Sequence, residues 1–372
     1  MSELRLIVRS NELRALLPGG EVITLHPLWL RERCRDAKNM DPKTEQRLFN
    51  PSNLATDLSI VAITTPGCGE FIVRFNDGAC CAITAVDVQR ELPQYSDADL
   101  PVKLPWRCDN TPPPSVDWRD CGDGVVQHQA LSAFLSCGYI VISNVPARRG
   151  CVLEVARRFG IPRETNFGVL FDVCSVPDAN DLAYTSLPLD PHTDNPYRTP
   201  VPGIQLLHCI SNPCAGGLST LVDGMEAARR LRETAPEDFD MLCQTKVKFR
   251  YTDCDCELVA HAPLIELDRD GEFAGIHYSP RLDFVPLLPY EELERFYAAR
   301  RWLNTLLTSP ELERRFRLAD GDLIMFDNRR LLHGRTGFEG STGRRHLQGC
   351  YIDADGPRSR YRVLNRGLIC ST

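Results

Sequence analysis

The stretch that decides the fold is Pro191-His192-Thr193-Asp194-Asn195. Residues two apart on a strand point to the same face, so the His192 imidazole and the Asp194 carboxylate can bind one metal ion. A third ligand from a second histidine would complete the facial triad of non-haem Fe(II) oxygenases, which leaves open positions for an oxo acid and O₂. A His-x-Asp motif alone is weak evidence. The stretch therefore directs the search to a second, distant histidine.

His333 meets that requirement, because it follows an apolar run at 322–326 that is typical of a buried strand leading into a site. Arg345 comes twelve residues later, and its guanidinium can fork onto a carboxylate such as the distal one of 2-oxoglutarate. Arg344 is the alternative, because neighbours on a strand face opposite sides. The chain order of His192, Asp194, His333 and Arg345 predicts an iron- and 2-oxoglutarate-dependent dioxygenase.

A longer series of motifs resembles the γ-butyrobetaine and trimethyllysine dioxygenases, within the larger taurine-dioxygenase-like group. The resemblance runs from about Ser115 to the C-terminus and, more weakly, through the N-terminal part. It is carried by Ala183-Tyr184-Thr185, His192-Thr193-Asp194, Gly203-Ile204-Gln205-Leu206-Leu207-His208-Cys209, Gly216-Gly217, Val222-Asp223-Gly224, Phe326-Asp327-Asn328 and Leu331-Leu332-His333-Gly334-Arg335.

The resemblance implies Fe(II) held by His192, Asp194 and His333, with 2-oxoglutarate and O₂ as cosubstrates. Arg345 is then expected to anchor the distal carboxylate of 2-oxoglutarate, and Ser219 to be its hydroxyl partner, with Thr220 as the alternative. The resemblance also implies a homodimer.

The same resemblance implies a cage for a trimethylammonium group, which has no N–H to donate and is held by cation–π attraction and shape. Four aromatic residues match the cage positions: Phe167, Phe171, Tyr184 and Tyr351. Each of them singly could instead be an aromatic of the core. Together they predict a small trimethylammonium zwitterion as substrate.

The residues expected to bind the anion end of that substrate differ from those of the butyrobetaine enzymes, which bind a carboxylate with asparagines. Asp181 occupies the first matching position, and the second falls near Arg281, where no Asn is found. Arg281 suits a phosphonate, with help from Asn180 and Asn195; the alternative is an Arg281 paired with Asp283. We therefore favour 2-(trimethylammonio)ethylphosphonate, hydroxylated on the carbon bearing phosphorus, over γ-butyrobetaine. Two further interpretations, from different classes of protein, are a non-catalytic quaternary-ammonium binder and a metal hydrolase.

Composition excludes several classes of protein. The chain has 372 residues with 43% hydrophobic content, no apolar run as long as a membrane span and no signal-peptide pattern. We therefore expect a cytoplasmic protein whose 16 cysteines are reduced. A net charge of −7 argues against a nucleic-acid partner.

The expected fold is mostly β with flanking helices. Residues 1–104 predict a small, mainly β domain with a degenerate zinc motif, in which Cys34 has no following cysteines, so we expect no structural zinc. Cys80 and Cys81 are expected in its core. The prolines at 112–114 end a linker that begins at 104. Residues 115–372 predict a double-stranded β-helix, or jelly roll, with helices at about 129–137, 152–159, 223–243 and 290–307.

Overall fold

The computed structural model describes residues 4–67, 69–92, 99–109, 111–174, 185–338 and 345–369. The chain divides into two compact units, Met1–Asp99 and Leu100–Thr372. None of the helices in the described ranges has the length and the apolar character needed to cross a bilayer.

The smaller unit contains two three-stranded antiparallel sheets, β1-β2-β3 and β4-β5-β6. Its elements are β1 (Arg5–Arg9), β2 (Glu12–Leu16), β3 (Val22–Thr24), α1 (Pro27–Arg31), β4 (Ile60–Gly67), β5 (Glu70–Phe75), β6 (Cys80–Thr84) and α2 (Ala85–Arg90). Cys34 and Cys81 are fully buried in its core. Cys80 is exposed, so its expected core position is wrong. The reason is that adjacent residues of a strand face opposite sides.

The larger unit is built from sheets that are antiparallel except for the parallel pairing of its first two strands, with helices packed around them. Its strands are β7 (Ser115–Asp117), β8 (Tyr139–Ser143), β9 (Pro162–Arg163), β10 (Phe171–Cys174), β11 (Leu189–His192), β12 (Ile204–Ser211), β13 (Ser219–Asp223), β14 (Val247–Thr252), β15 (Glu257–Ala262), β16 (Ile265–Leu267), β17 (Phe273–Ile276), β18 (Asp283–Phe284), β19 (Glu313–Phe316), β20 (Leu323–Asp327), β21 (Leu331–Arg335) and β22 (His346–Ile352). Its helices are α3 (Gly124–Cys137), α4 (Cys151–Phe159), α5 (Gly224–Thr234), α6 (Pro236–Gln244), α7 (Tyr290–Leu307) and α8 (Asp355–Ile369).

A large sheet and a small sheet face each other across the pocket described below. The large sheet has the order β10-β22-β12-β20-β8-β7, and the small one has the order β11-β21-β13-β19. One face of the large sheet shares a hydrophobic core with α3, α4 and α8, and a second core gathers α5, α6 and α7. This arrangement is consistent with the jelly roll expected from the sequence.

Sequence patterns predicted the presence of the helices more accurately than the residues at which they begin and end. α7 has the expected bounds, whereas α3 begins earlier because the Asp123 side chain caps it by accepting hydrogen bonds from Val125 and Val126. The single helix expected at 223–243 is two helices, because Pro236 lacks an N–H and begins a new one.

The segment expected to be a linker is instead bound to the larger unit. The Leu104 N–H donates to the Ser136 carbonyl oxygen at 2.9 Å. The Trp106 N–H donates to Asp223 Oδ2 at 3.0 Å, and its indole Nε1 donates to the Cys137 carbonyl oxygen at 2.7 Å. These contacts explain why the boundary between the units lies before Leu100 rather than after Leu104.

A buried ion pair joins this segment to the small sheet. Arg330 donates from Nε and Nη2 to the two carboxylate oxygens of Asp223 at 3.0 and 2.7 Å, and both side chains are almost fully buried. Arg330 also donates to the carbonyl oxygens of Ser136 and Leu104. The pair therefore holds four separate parts of the chain together.

Replacing Asp223 by Asn is expected to destabilise the protein by about 3–5 kcal/mol, because it leaves the Arg330 charge buried without a counter-ion. The change appears as a lower melting temperature and a lower urea midpoint. Glu233→Gln is the matched control, since its pair with Arg229 is exposed and is worth about 0–1 kcal/mol. Equal losses in the two variants would contradict a special role for the buried pair.

Candidate active site

Two neighbouring strands bring the three candidate metal ligands together. His192 lies opposite His333 in the antiparallel pairing of β11 with β21, and their ring centroids are 4.3 Å apart. Asp194 follows the end of β11, with Oδ1 3.5 Å from His192 Nε2 and Oδ2 3.9 Å from His333 Nε2. One potential ligand atom from each side chain lies within 4.8 Å of the other two. The ligand set expected from the sequence is thus assembled in space.

Hydrogen bonds orient two of these ligands. His192 Nδ1 lies 2.9 Å from the Asp190 carbonyl oxygen, which can only accept, so Nδ1 donates this bond and Nε2 is the nitrogen that faces the other ligands. The Tyr351 hydroxyl donates to Asp194 Oδ2 at 2.7 Å and restricts rotation of the carboxylate. The Asn328 amide binds the backbone of Asp194 on both sides, accepting from its N–H at 2.7 Å and donating to its oxygen at 2.9 Å.

Electrostatics favour the protonation states that a metal requires. Burial, together with the positive charges of His192 and Arg281, lowers the pKa of the His333 imidazole to about 3. Burial alone would favour a neutral Asp194, but charge interaction with His333 and bonds from His192 and Tyr351 outweigh it. They hold the pKa of the Asp194 carboxyl well below its usual range. A neutral imidazole and a carboxylate are thus available, and this donor set fits Fe(II).

Arg345 is a suitable anchor for the distal carboxylate of 2-oxoglutarate. It is 5% exposed, it lines the pocket, and its Nε has no hydrogen-bond partner among the described residues. Burial lowers the pKa of its guanidinium. In the part of the chain that the structure describes, no carboxylate forms an ion pair with it. A buried cation in this state fits a dicarboxylate ligand.

Ser219 and Thr220 both line the pocket, and strand register places their side chains on opposite faces of the sheet. In the pairing of β13 with β21, Ser219 lies opposite Arg335 and Leu221 lies opposite His333. Directly opposed residues share a face, so the Ser219 side chain shares the face of His333, and the Thr220 side chain takes the other one. Arg335 is a second buried arginine of the pocket that sequence reasoning missed. Its position two residues after His333 was the available signal.

An aromatic wall lies beside the metal ligands. Its rings form a continuous series with centroid distances of 5.2, 6.4, 5.6 and 5.1 Å, in the order Tyr351, Phe171, Phe167, Tyr251, Tyr197. All five line the pocket. Tyr197 and Tyr251 were missed by sequence reasoning; Tyr251 comes from the β14–β15 hairpin, which the sequence pattern did not predict. Tyr184, the fourth expected cage residue, lies outside the described residues.

Arg281 and Asn195 also line the pocket. Asp283, the alternative partner of Arg281, accepts from Arg300 through both carboxylate oxygens at 2.8 Å. Asn195 is 5% exposed, and its Oδ1 accepts from the Tyr197 hydroxyl at 2.5 Å. Asn180 and Asp181, like Arg344, lie outside the described residues.

The pocket that collects these residues is bounded by both sheets. Phe326 of the large sheet packs against His333 of the small one, with centroids 4.9 Å apart. Gln205, missed by sequence reasoning, lies between Phe326 and Tyr351 in the strand pairing, and its amide oxygen is buried without a partner. In the sequence, the one indication that Gln205 lines a site is that a polar residue interrupts an apolar strand.

Comparisons with known proteins agree with this geometry. Residues 109–351 match the family described as taurine catabolism dioxygenase TauD, TfdA family. The chain is 35% identical over 352 residues to γ-butyrobetaine dioxygenase of Pseudomonas sp. (strain AK-1), covering 93% of this chain and 92% of that protein. It is 31% identical over 374 residues to mitochondrial trimethyllysine dioxygenase of Rattus norvegicus, covering 93% and 84%.

Among solved structures, the PvcB protein of Pseudomonas aeruginosa is similar with a TM-score of 0.50 and 22% identity, covering 69% of this chain and 93% of that one. This likeness concerns the fold alone. Together with the assembled His192, Asp194 and His333, the family match identifies the cofactors as Fe(II) and 2-oxoglutarate. The chain belongs to the TauD/TfdA family and is an Fe(II)- and 2-oxoglutarate-dependent dioxygenase.

Proposed function

We propose that this dioxygenase hydroxylates a C–H bond of a small trimethylammonium zwitterion. The observation that carries the proposal is the aromatic wall, whose five rings line the same pocket as the metal ligands. Aromatic faces attract a quaternary ammonium without needing a hydrogen-bond donor. The similarity to dioxygenases named for γ-butyrobetaine and trimethyllysine supports the same class of substrate.

Different residues of the pocket bind the two ligands. Arg345 and Ser219 bind the distal carboxylate of 2-oxoglutarate, while the aromatic wall binds the cationic head of the substrate. When bound, Fe(II) couples the oxidative decarboxylation of 2-oxoglutarate to the oxidation of the C–H bond. One oxygen atom of O₂ becomes the product hydroxyl and the other enters succinate, with release of CO₂. Tyr351 contributes to both the metal site and the substrate site, since its hydroxyl donates a hydrogen bond to Asp194 and its ring belongs to the aromatic wall.

The two candidate substrates share the trimethylammonium head and differ in the anionic group and in the length of the chain that joins the two. Arg281 lines the pocket, which supports 2-(trimethylammonio)ethylphosphonate, because a guanidinium forks onto phosphonate oxygens. The 35% identity with a γ-butyrobetaine dioxygenase supports γ-butyrobetaine, hydroxylated to L-carnitine. We place the phosphonate first on the charge of Arg281 and keep γ-butyrobetaine as the second candidate.

The test is succinate formation from 2-oxoglutarate by the Fe(II)-loaded protein under air, with each zwitterion supplied separately. We expect strong stimulation by at least one of them, together with an equal amount of hydroxylated product. Stimulation by the phosphonate alone supports the role of Arg281, whereas stimulation by γ-butyrobetaine alone overturns it. No stimulation by either would overturn the proposed substrate class.

Replacing Arg281 by Ala is expected to raise the KM for the phosphonate at least about tenfold, because loss of a charge-assisted bond costs roughly 1.5–3 kcal/mol. The KM for 2-oxoglutarate should stay within about twofold. Arg269→Ala is the matched control, since Arg269 is exposed and is not among the residues that line the pocket. An unchanged KM for the phosphonate would remove Arg281 from substrate binding.

A further inference from the structure

Gly349 lies in the middle of β22, on the face of the sheet that forms the pocket. Its neighbours two residues away, Leu347 and Tyr351, both line the pocket. Across the strand pairing it lies opposite Phe171 on one side and Leu207 on the other. A side chain at this position would therefore point into the pocket.

The ring of Phe171 occupies the space that such a side chain would need. A Cβ on Gly349 would lie 2.3 Å from Phe171 Cε2, 2.4 Å from Phe171 Cζ and 3.1 Å from Leu207 Cδ2. The backbone of Gly349 is not in the left-handed region, so its conformation does not require glycine. Space for the ring is the reason for glycine here.

We infer that Gly349 determines the specificity of the pocket by seating Phe171 in the aromatic wall, an inference that rests on the proposed binding of a trimethylammonium head. The empty position lets the Phe171 ring lie against the strand, 5.2 Å from the ring of Tyr351 and 6.4 Å from that of Phe167. Adding a methyl group moves the ring by at least about 1 Å, since an ordinary contact is 3.4 Å or more. That movement narrows the pocket where the three methyl groups would lie.

Because the atoms in the way are the far end of one side chain, the Gly349→Ala protein is expected to fold with the ring displaced. We expect its KM for the trimethylammonium substrate to rise roughly tenfold, from the lost cation–π contact and the lost space. Its KM for 2-oxoglutarate should not change. Gly122→Ala is the matched control, because a Cβ on Gly122 meets nothing within 4 Å.

A double-mutant cycle separates the seating of Phe171 from a direct effect of the methyl group. In a Phe171→Leu background, Gly349→Ala should change the KM less than about threefold, because the aromatic ring is already absent. An equal effect in both backgrounds would overturn the inference, as would an unchanged KM in the single variant. If Gly349→Ala alone fails to fold, recovery of folding in the double variant supports the seating, and failure of both overturns it.

The affinity for tetramethylammonium, measured by calorimetry on the same variants without O₂, separates this inference from the proposed function. This probe carries only the cationic head. If neither zwitterion is turned over but wild-type protein binds tetramethylammonium and Gly349→Ala does not, the proposed substrates fail and the role of Gly349 stands. If wild-type protein and the variant bind it equally, or neither binds it, the inference fails.

Discussion

Replacing His333 by Ala is expected to abolish iron binding and succinate formation together. The variant keeps only His192 and Asp194 as ligands, and two side chains do not hold Fe(II) in the facial arrangement that the triad provides. Loss of residues that merely support ligands already costs about 10–100-fold in metal affinity or activity. Loss of a ligand should therefore exceed about 100-fold. Metal content after dialysis and the rate of succinate formation measure the two effects.

His261→Ala is the matched control, because His261 lies exposed on β15, away from the ligands. It should keep both the iron and the activity. An iron content equal to that of the wild-type protein in His333→Ala would mean that the metal is bound elsewhere. The placement of His333 opposite His192 would then have no bearing on the reaction.

Replacing Arg345 by Leu is expected to raise the KM for 2-oxoglutarate at least about 30-fold. Removing one partner of a buried charge pair costs about 2–5 kcal/mol of binding free energy, and about 1.4 kcal/mol corresponds to tenfold. The KM of Arg345→Lys for 2-oxoglutarate should lie between those of the wild-type protein and Arg345→Leu, because an ammonium keeps the charge but cannot fork onto a carboxylate. The KM for the trimethylammonium substrate should change little.

The melting temperature distinguishes ligand binding from a structural role of Arg345. Since the buried guanidinium has no anionic partner in the described part of the chain, its removal should leave the melting temperature of the cosubstrate-free protein unchanged or raise it. Arg315→Leu is the control, because Arg315 lies exposed on the neighbouring β19. A KM effect in Arg344→Leu instead would transfer the role to that residue.

The sequence by itself was sufficient for the metal ligands and the enzyme class. His192 and Asp194 are two residues apart, and His333 follows a strand-like apolar run, so local spacing already indicates their chemistry. The bounds of α7 were also predictable, because its apolar spacing begins and ends within one continuous segment. Each of these features is a short local pattern, although His333 lies far from His192 in the chain.

Only the tertiary structure decided which side chains share the pocket. Ser219 shares a strand face with His333 through the register of β13 against β21, and Tyr251 reaches the aromatic wall through a hairpin far away in sequence. Arg300 pairs with Asp283 only because helix α7 brings it there. A glycine is needed at position 349 only because the Phe171 ring occupies the space of a side chain there. Periodicity shows which face of a strand is buried, whereas the partner on that face is set by strand pairing and packing across the whole domain.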